Sequence, residues 1–271
     1  MSRTQSSPSR DTGSHTQPLF LDSLDARLPA LPGRRLALSP REIEVRYFVP
    51  DGLAASLKKG DYISIEQHYF PEKTVRSLIK RFDVDERIGD HDQLTSARIR
   101  RSKEKDGPSK YELEFKGQKE EVHGALISRC ELGIEISKEL YEDLLPEATD
   151  GALKKRRYEI AGRITDGGTS VKILGHLDAL RRSGNSLEKL MEPFWTIDIE
   201  LPDTSLFKRL RAGNHNFDFL PQCIEIGTLD NSLRKSLRNS SIAKKGIPDW
   251  ALEKAKDEAE KVQKMLKKLG R

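Results

Sequence analysis

The chain has 271 residues, of which 35% are hydrophobic and 34% charged, with a formal net charge of +5. Its uncharged apolar runs are far shorter than the ~20 residues that a helix needs to cross a bilayer, which excludes a membrane-spanning protein of the helical kind. Because 48 basic residues are nearly balanced by 43 acidic ones, the surface is mixed, and this argues against nucleic acid as the partner.

Residues 1–38 are rich in Ser, Pro, Thr and Arg and show no periodicity, which predicts a disordered N-terminal tail. A docking or targeting peptide is the alternative for this segment. The tail has no apolar signal-peptide core. Two isolated cysteines, Cys130 and Cys223, are typical of a reducing compartment. We therefore expect a cytoplasmic protein.

From Arg41 onward the sequence alternates with a period of two, which is typical of β-strands. The predicted strands are Arg41–Pro50, Tyr62–Phe70, Gln93–Ser102, Lys110–Gly117, Ser128–Ser137, Leu153–Gly162, Ser170–Leu177, Phe194–Leu201 and Gln222–Ile226. Helices are predicted at Lys138–Leu144, Ser205–Arg211 and Pro248–Leu269. The last of these is amphipathic, and it would pack on the domain, on a second copy in a homodimer, or on an acidic surface.

The predicted strands are unusual because they alternate apolar residues with charged ones. Glu42, Glu44 and Arg46 share one face of the first strand, and Arg98 shares a face with Arg100. A solvated sheet face would explain one such strand, but the pattern recurs on six. A closed barrel explains them all if the apolar faces pack outward under helices and the charged faces line the interior.

The fold class predicted from these patterns is α+β. We expect an eight-stranded antiparallel β-barrel tunnel over residues 39–248 with flanking helices, followed by a long C-terminal helix over residues 249–271. Arg and Lys bind phosphate through charge-assisted hydrogen bonds, and paired carboxylates hold hard divalent cations. A tunnel lined by both kinds of group suits a complex of polyphosphate and metal.

The motifs together resemble the CYTH superfamily, the triphosphate tunnel metalloenzymes. Glu42–Arg46 is similar to the family's ExExK strand, and Arg98–Arg100 to its Arg-x-Arg strand. Six further segments resemble other elements of the family pattern, and they follow the expected order along residues 41–248. They are Glu66–Phe70, Glu114–Gly117, Arg129–Glu131, Lys155–Tyr158, Asp198–Glu200 and Leu237–Ala243.

This resemblance implies metal-dependent hydrolysis of a phosphoanhydride in inorganic tripolyphosphate or in an organic or nucleoside triphosphate. The catalytic residues would be Arg46, Glu42 and Glu44. The substrate-binding residues would be Arg98, Arg100, Lys116, Arg129, Lys155 and Arg157. The ligands of Mg²⁺ or Mn²⁺ would be Glu42, Glu44, Asp198 and Glu200.

Four positions depart from the family pattern. Arg46 stands in place of a lysine, Gly133 in place of a carboxylate, and Asp198 in place of a longer glutamate. The predicted strand Ser170–Leu177 contains no aspartate. These changes predict an interior with excess positive charge. They leave open a catalytically degenerate polyphosphate- or nucleotide-binding module and, since no purine pocket is visible, less readily a class IV-type adenylyl cyclase.

Overall fold

The computed structural model describes residues 36–84, 94–118, 120–122, 126–166, 168–182, 193–251, 253 and 257. Nearly all of the predicted tail and most of the predicted final helix lie outside these residues. The described part contains ten strands: β1 (Leu36–Phe48), β2 (Ile63–Tyr69), β3 (Leu94–Lys103), β4 (Ser109–Gly117), β5 (Glu120–Val122), β6 (Leu126–Glu135), β7 (Ala152–Asp166), β8 (Thr169–Arg182), β9 (Phe194–Leu201) and β10 (Ile224–Glu225).

The strands form one sheet in the order β10-β1-β9-β8-β7-β2-β3-β4-β6-β5. Neighbouring strands run antiparallel throughout this order. The first half of β1 also pairs with β6, from Leu36 opposite Ile134 to Glu44 opposite Ile127. The sheet is therefore curled, so that β1 has β9 on one side and β6 on the other. The predicted α+β class with an antiparallel sheet is confirmed.

The described part also contains six α-helices, four between strands and two after β10. They are α1 (Asp51–Leu57), α2 (Glu72–Arg81), α3 (Lys138–Leu144), α4 (Ser205–Arg211), α5 (Asn231–Ser236) and α6 (Asn239–Lys245). Short 3₁₀ turns lie at Leu145–Glu147, Leu220–Gln222 and Ile226–Thr228. The sequence predicted α3 and α4 with these same bounds, but it did not predict α1, α2, α5 or α6. None of the described helices has the length and hydropathy required to cross a membrane.

The predicted strands are largely confirmed, with differences at their ends. β9 has the predicted bounds, whereas β1 begins at Leu36, inside the predicted tail. β7 and β8 are longer than predicted and form a hairpin that pairs Leu153 with Arg182 at one end and Asp166 with Thr169 at the other. The predicted strand Gln222–Ile226 shortens to the two residues of β10. β5 was not predicted.

Helices cover the apolar face of the sheet on two sides. Val45 of β1 and Ile197 of β9 pack in one cluster with Phe207 of α4. Ile99 and Leu113, on β3 and β4, pack in a second cluster that contains buried residues of α2 and α3. The apolar half of the alternating pattern is therefore buried beneath helices, as predicted.

A third apolar cluster lies at one end of the curled sheet, where several strands begin or end. It joins Phe48 and Tyr69, at the ends of β1 and β2, to Leu153 and Phe194, at the starts of β7 and β9. Leu180, near the end of β8, belongs to it as well, and so do Leu237, Ile242 and Ala243 from and around α6. We call this cluster the sealed edge, because its side chains are buried at that end of the curled sheet.

Candidate functional site

The charged residues of successive strands share one face of the curled sheet, which we call the inner face. Glu44 lies opposite Glu200, and Arg46 lies opposite Asp198, in the register of β1 and β9. Since side chains alternate along a strand, the apolar neighbours of these residues point to the opposite face. The described polar and charged residues of the inner face are Glu44, Arg46, Gln67, Arg98, Arg100, Glu112, Glu114, Lys116, Glu131, Lys155, Arg157, His176, Asp178, Thr196, Asp198 and Glu200.

Two predicted site residues, Glu42 and Arg129, lie opposite each other in the backbone register of β1 and β6. Their side chains fall outside the described residues. The structure brings the other predicted site residues together on the inner face.

Arginines of β3 pair with glutamates of β4. The Arg98 Nε atom donates to Glu114 Oε2 at 2.6 Å, and an Arg100 nitrogen lies 2.8 Å from Glu114 Oε1. Arg100 Nε also donates to Glu112 Oε2 at 2.8 Å. Burial would raise the pKa of Glu114, but Arg98 and Arg100 outweigh burial and hold that pKa at about 2. Glu114 therefore stays ionised between the two arginines.

Two bases of β7 share one carboxylate of β8. Lys155 Nζ donates to Asp178 Oδ2 at 2.7 Å, and Arg157 donates to both Asp178 oxygens at 2.9 Å. Asp178 is only 1% exposed. Burial opposes its ionisation, but Lys155 and Arg157 together hold its pKa below the usual value. Burial, followed by the charge of Arg157, lowers the pKa of Lys155 to about 8.

The expectation that this strand lacks an aspartate is wrong. β8 continues past its predicted end at Leu177, and Asp178 is the next residue. Its side chain points to the inner face, since it lies opposite Arg157 and next to two of the predicted phosphate-binding residues.

Arg46 is held by three different side chains. Its Nε atom donates to Asp198 Oδ1 at 2.5 Å, and a second nitrogen donates to Asp198 Oδ2 at 2.8 Å. Its remaining nitrogen donates to Asn239 Oδ1 of α6 at 3.0 Å. Glu44 Oε1 lies 3.0 Å from the same guanidinium. Both oxygens of Asp198, a predicted metal ligand, are thus engaged by a protein cation.

The expected excess of positive charge on the inner face is also wrong. Each described base on this face has a carboxylate partner, because Lys116 forms an ion pair with Glu131 in addition to the pairs above. The other pairs are Arg46–Asp198, Arg98–Glu114, Arg100–Glu112, Lys155–Asp178 and Arg157–Asp178. Glu112, Glu114 and Glu131, at neighbouring positions, supply the negative charge that Gly133 lacks.

A cavity of about 170 Å³ lies at the end of the inner face away from the sealed edge. Arg100, Arg157 and His176 contribute polar groups to it, and Ile63 and Ile65 contribute apolar walls. The remaining lining residues come from the β3–β4 turn and its flanks. An anion in this cavity would meet two guanidinium groups from different strands.

Comparison with known proteins gives distant structural similarity only. Neither a protein-family model nor a curated protein matches the sequence. The fold is similar to a solved structure described as the hypothetical protein NE1496, with a TM-score of 0.38 and 19% identity, covering 76% of this chain and 99% of that one. It is also similar to one described as the inorganic triphosphatase NE1496, with a TM-score of 0.37 and 18% identity, covering 74% and 97%.

The described carboxylates predicted to bind a cation all have protein partners. Glu44 and Glu200 face each other across β1 and β9, and Glu44 also lies 3.0 Å from Arg46. Both oxygens of Asp198 accept hydrogen bonds from Arg46. Within the described part of the chain, no three His, Cys, Asp or Glu side chains are grouped closely enough to hold a metal ion. His176 Nδ1 lies 3.2 Å from Glu200 Oε1, and this contact holds the pKa of Glu200 below its usual value.

Proposed function

We propose that the protein is a metal-dependent hydrolase that cleaves a phosphoanhydride in inorganic tripolyphosphate or in an organic triphosphate. The observation that carries this proposal is the convergence of Arg98, Arg100, Lys116, Lys155 and Arg157, from three strands, on one largely buried face beside a cavity. Buried bases from separate strands are a strong binding site for a chain of phosphates.

In this proposal the pairing of β1 with β6 closes an eight-stranded barrel from β1, β9, β8, β7, β2, β3, β4 and β6. The inner face then becomes the lining of a tunnel, and the sealed edge forms its floor. The catalytic domain would span residues 39–248, and the C-terminal helix over 249–271 would pack on it or on a second copy of the chain.

The residues of this chain have separable roles in the proposed reaction. Arg100 and Arg157 neutralise phosphate oxygens and orient the chain of phosphates, since phosphoryl transfer depends chiefly on positioning and charge stabilisation. Lys155, whose pKa is lowered to about 8, can hold a proton at Nζ and release it to the departing phosphate near neutral pH. Arg46 fixes the Asp198 carboxylate through two hydrogen bonds.

A divalent cation, Mg²⁺ or Mn²⁺, would be held by Glu44 and Glu200 together with Glu42. When bound, it would supply Lewis-acid stabilisation of charge on the phosphoryl group. The ligand set is smaller than the sequence predicts, because both Asp198 oxygens bind Arg46.

A binding module without catalysis is the second candidate. The engagement of Asp198 by Arg46 favours it, since a carboxylate committed to a guanidinium is not free to bind metal. Such a module would bind tripolyphosphate or nucleotide with little dependence on divalent cations. The inner face would then bind the phosphate chain without hydrolysing it.

Phosphate release separates the two candidates. The assay offers tripolyphosphate, ATP and thiamine triphosphate to the full chain with Mg²⁺, with Mn²⁺ and with a chelator. We expect metal-dependent release that is lost in Arg157→Ala and kept in Arg76→Ala, whose guanidinium is 80% exposed on α2. Binding of tripolyphosphate without release under any of these conditions would replace the hydrolase by the binding module.

A further inference from the structure

Three side chains in the described part of the inner face hold a buried polar atom with no hydrogen-bond partner. One of these atoms, His176 Nδ1, has the Glu200 carboxylate 3.2 Å away, which leaves Gln67 Nε2 on β2 and Thr196 Oγ1 on β9. Gln67 is 0% exposed and Thr196 is 1% exposed. A buried polar group without a partner destabilises the folded state, so two of them on one face point to a ligand that completes their hydrogen bonds.

The contacts around Gln67 fix which amide atom is available. Arg98 has only donors, and it hydrogen-bonds to the Tyr69 oxygen. The Tyr69 hydroxyl in turn donates to Gln67 Oε1 at 3.2 Å. The amide oxygen is therefore engaged, and the amide nitrogen, which can only donate, is the atom without a described partner. The ligand that it suits is an acceptor.

Gln67 and Thr196 lie at the same depth. Each is the first inner-face residue beyond a member of the sealed edge, because Gln67 is two residues from Tyr69 and Thr196 is two residues from Phe194. In register, Gln67 lies opposite Arg100 and Thr196 lies opposite Asp178. Both donors therefore lie next to the floor, at the level of Arg46 and Lys155, each of which is likewise two residues from a member of the sealed edge.

Neutral donors are well suited to this position. The described bases of the inner face are already paired with carboxylates. An amide and a hydroxyl add hydrogen bonds for a phosphoryl oxygen without adding charge, which would need its own partner in a buried setting.

We propose that Gln67 and Thr196 donate hydrogen bonds to the terminal phosphoryl group of the bound triphosphate, the group furthest from the cavity mouth. This inference rests on the proposed function, since it names two residues that hold the end of the phosphate chain. It gives the inner face a binding position for a chain end, distinct from the arginines that bind phosphates along the chain.

The test uses variants that remove each donor and keep its shape, Gln67→Met and Thr196→Val. Titration calorimetry with tripolyphosphate should show affinity about 10- to 100-fold weaker in each, the loss expected for a hydrogen bond to a charged group. Urea unfolding of the free proteins should show stability equal to or above that of the wild type. Gln118→Met, at an exposed position after β4, is the matched control, and Thr196→Ser should retain binding.

Three results would overturn the inference. The first is wild-type affinity in both Gln67→Met and Thr196→Val. The second is loss of stability in the free variants with unchanged affinity, because that describes a structural role. The third is wild-type affinity in Thr196→Val if Gln67→Met fails to fold. Absence of tripolyphosphate binding to the wild type would instead refute the proposed function, and the inference with it.

Discussion

Asp178 is the carboxylate that balances the positive charges of Lys155 and Arg157 on the inner face. Its two oxygens accept three hydrogen bonds of 2.7, 2.9 and 2.9 Å from Lys155 and Arg157. Asp178→Asn keeps the shape of the side chain and removes its charge. Two buried cations then lose their shared carboxylate. Removing one partner of a buried ion pair costs about 3–5 kcal/mol, and we expect a loss of unfolding free energy in this range.

Lys155 limits the size of this loss. Its pKa is already lowered to about 8, and Asp178 is among the groups that raise it. Without that carboxylate the pKa falls further, so a smaller fraction of Lys155 is protonated at pH 7 and Arg157 carries most of the unpaired charge. Tripolyphosphate should restore stability more strongly in the variant than in the wild type, because a bound anion replaces the missing carboxylate.

The assay is urea unfolding at pH 7 with and without tripolyphosphate. Asp61→Asn is the matched control, since Asp61 pairs with Lys105 at 3.2 Å in an exposed position, where an ion pair contributes about 0–1 kcal/mol. A loss in Asp178→Asn no larger than that in the control would refute the argument. Greater stabilisation of the wild type than of the variant by tripolyphosphate would refute the second step.

Two further predictions concern Glu114 and the glycines. The pKa of Glu114 is held at about 2 against an ordinary 4.5, so its contribution of about 3 kcal/mol is complete above pH 4.5 and is lost as the pH falls through 2. Urea unfolding of Glu114→Gln from pH 5 to 2 should show a correspondingly weaker pH dependence, and an unchanged slope would contradict this. Gly162→Ala should lose about 1–3 kcal/mol in the same assay, because a Cβ atom there would lie 2.1 Å from the buried ring of Phe217. Gly133→Ala, with no atom within 4 Å of its Cβ position, should change stability by less than about 0.5 kcal/mol, and equal losses in the two variants would contradict the packing described.

The sequence predicted the sheet well because the alternating pattern is a local signal. Charged and apolar residues follow each other along β1, β3 and β9, and the structure places them on opposite faces. The helices α1 and α2 were missed although they are no shorter than α3 and α4, which were predicted. Both follow a proline, Pro50 and Pro71, which was a usable signal for a first helical turn.

The partners of the site residues were harder to predict than the residues themselves. Asp178 was missed because it lies one residue beyond the predicted end of its strand, although its spacing from His176 and from Leu174 keeps the period of two. Gln67 and Thr196 are uncharged, and although Gln67 lies in the segment Glu66–Phe70, no local pattern marks either residue as a ligand-binding donor. Their significance depends on burial and on the absence of a described partner, which only the three-dimensional arrangement reveals.

The sealed edge gives the proposed tunnel a direction. Phe48, Tyr69 and Phe194 are buried at the end where the phosphate chain would terminate, so in the proposed tunnel entry and exit would use the same opening. The outer product would then have to depart before the inner orthophosphate could follow. A linear polyphosphate of any length would be shortened from one terminus only, and a cyclic phosphate, which has no terminus to insert, would not be a substrate.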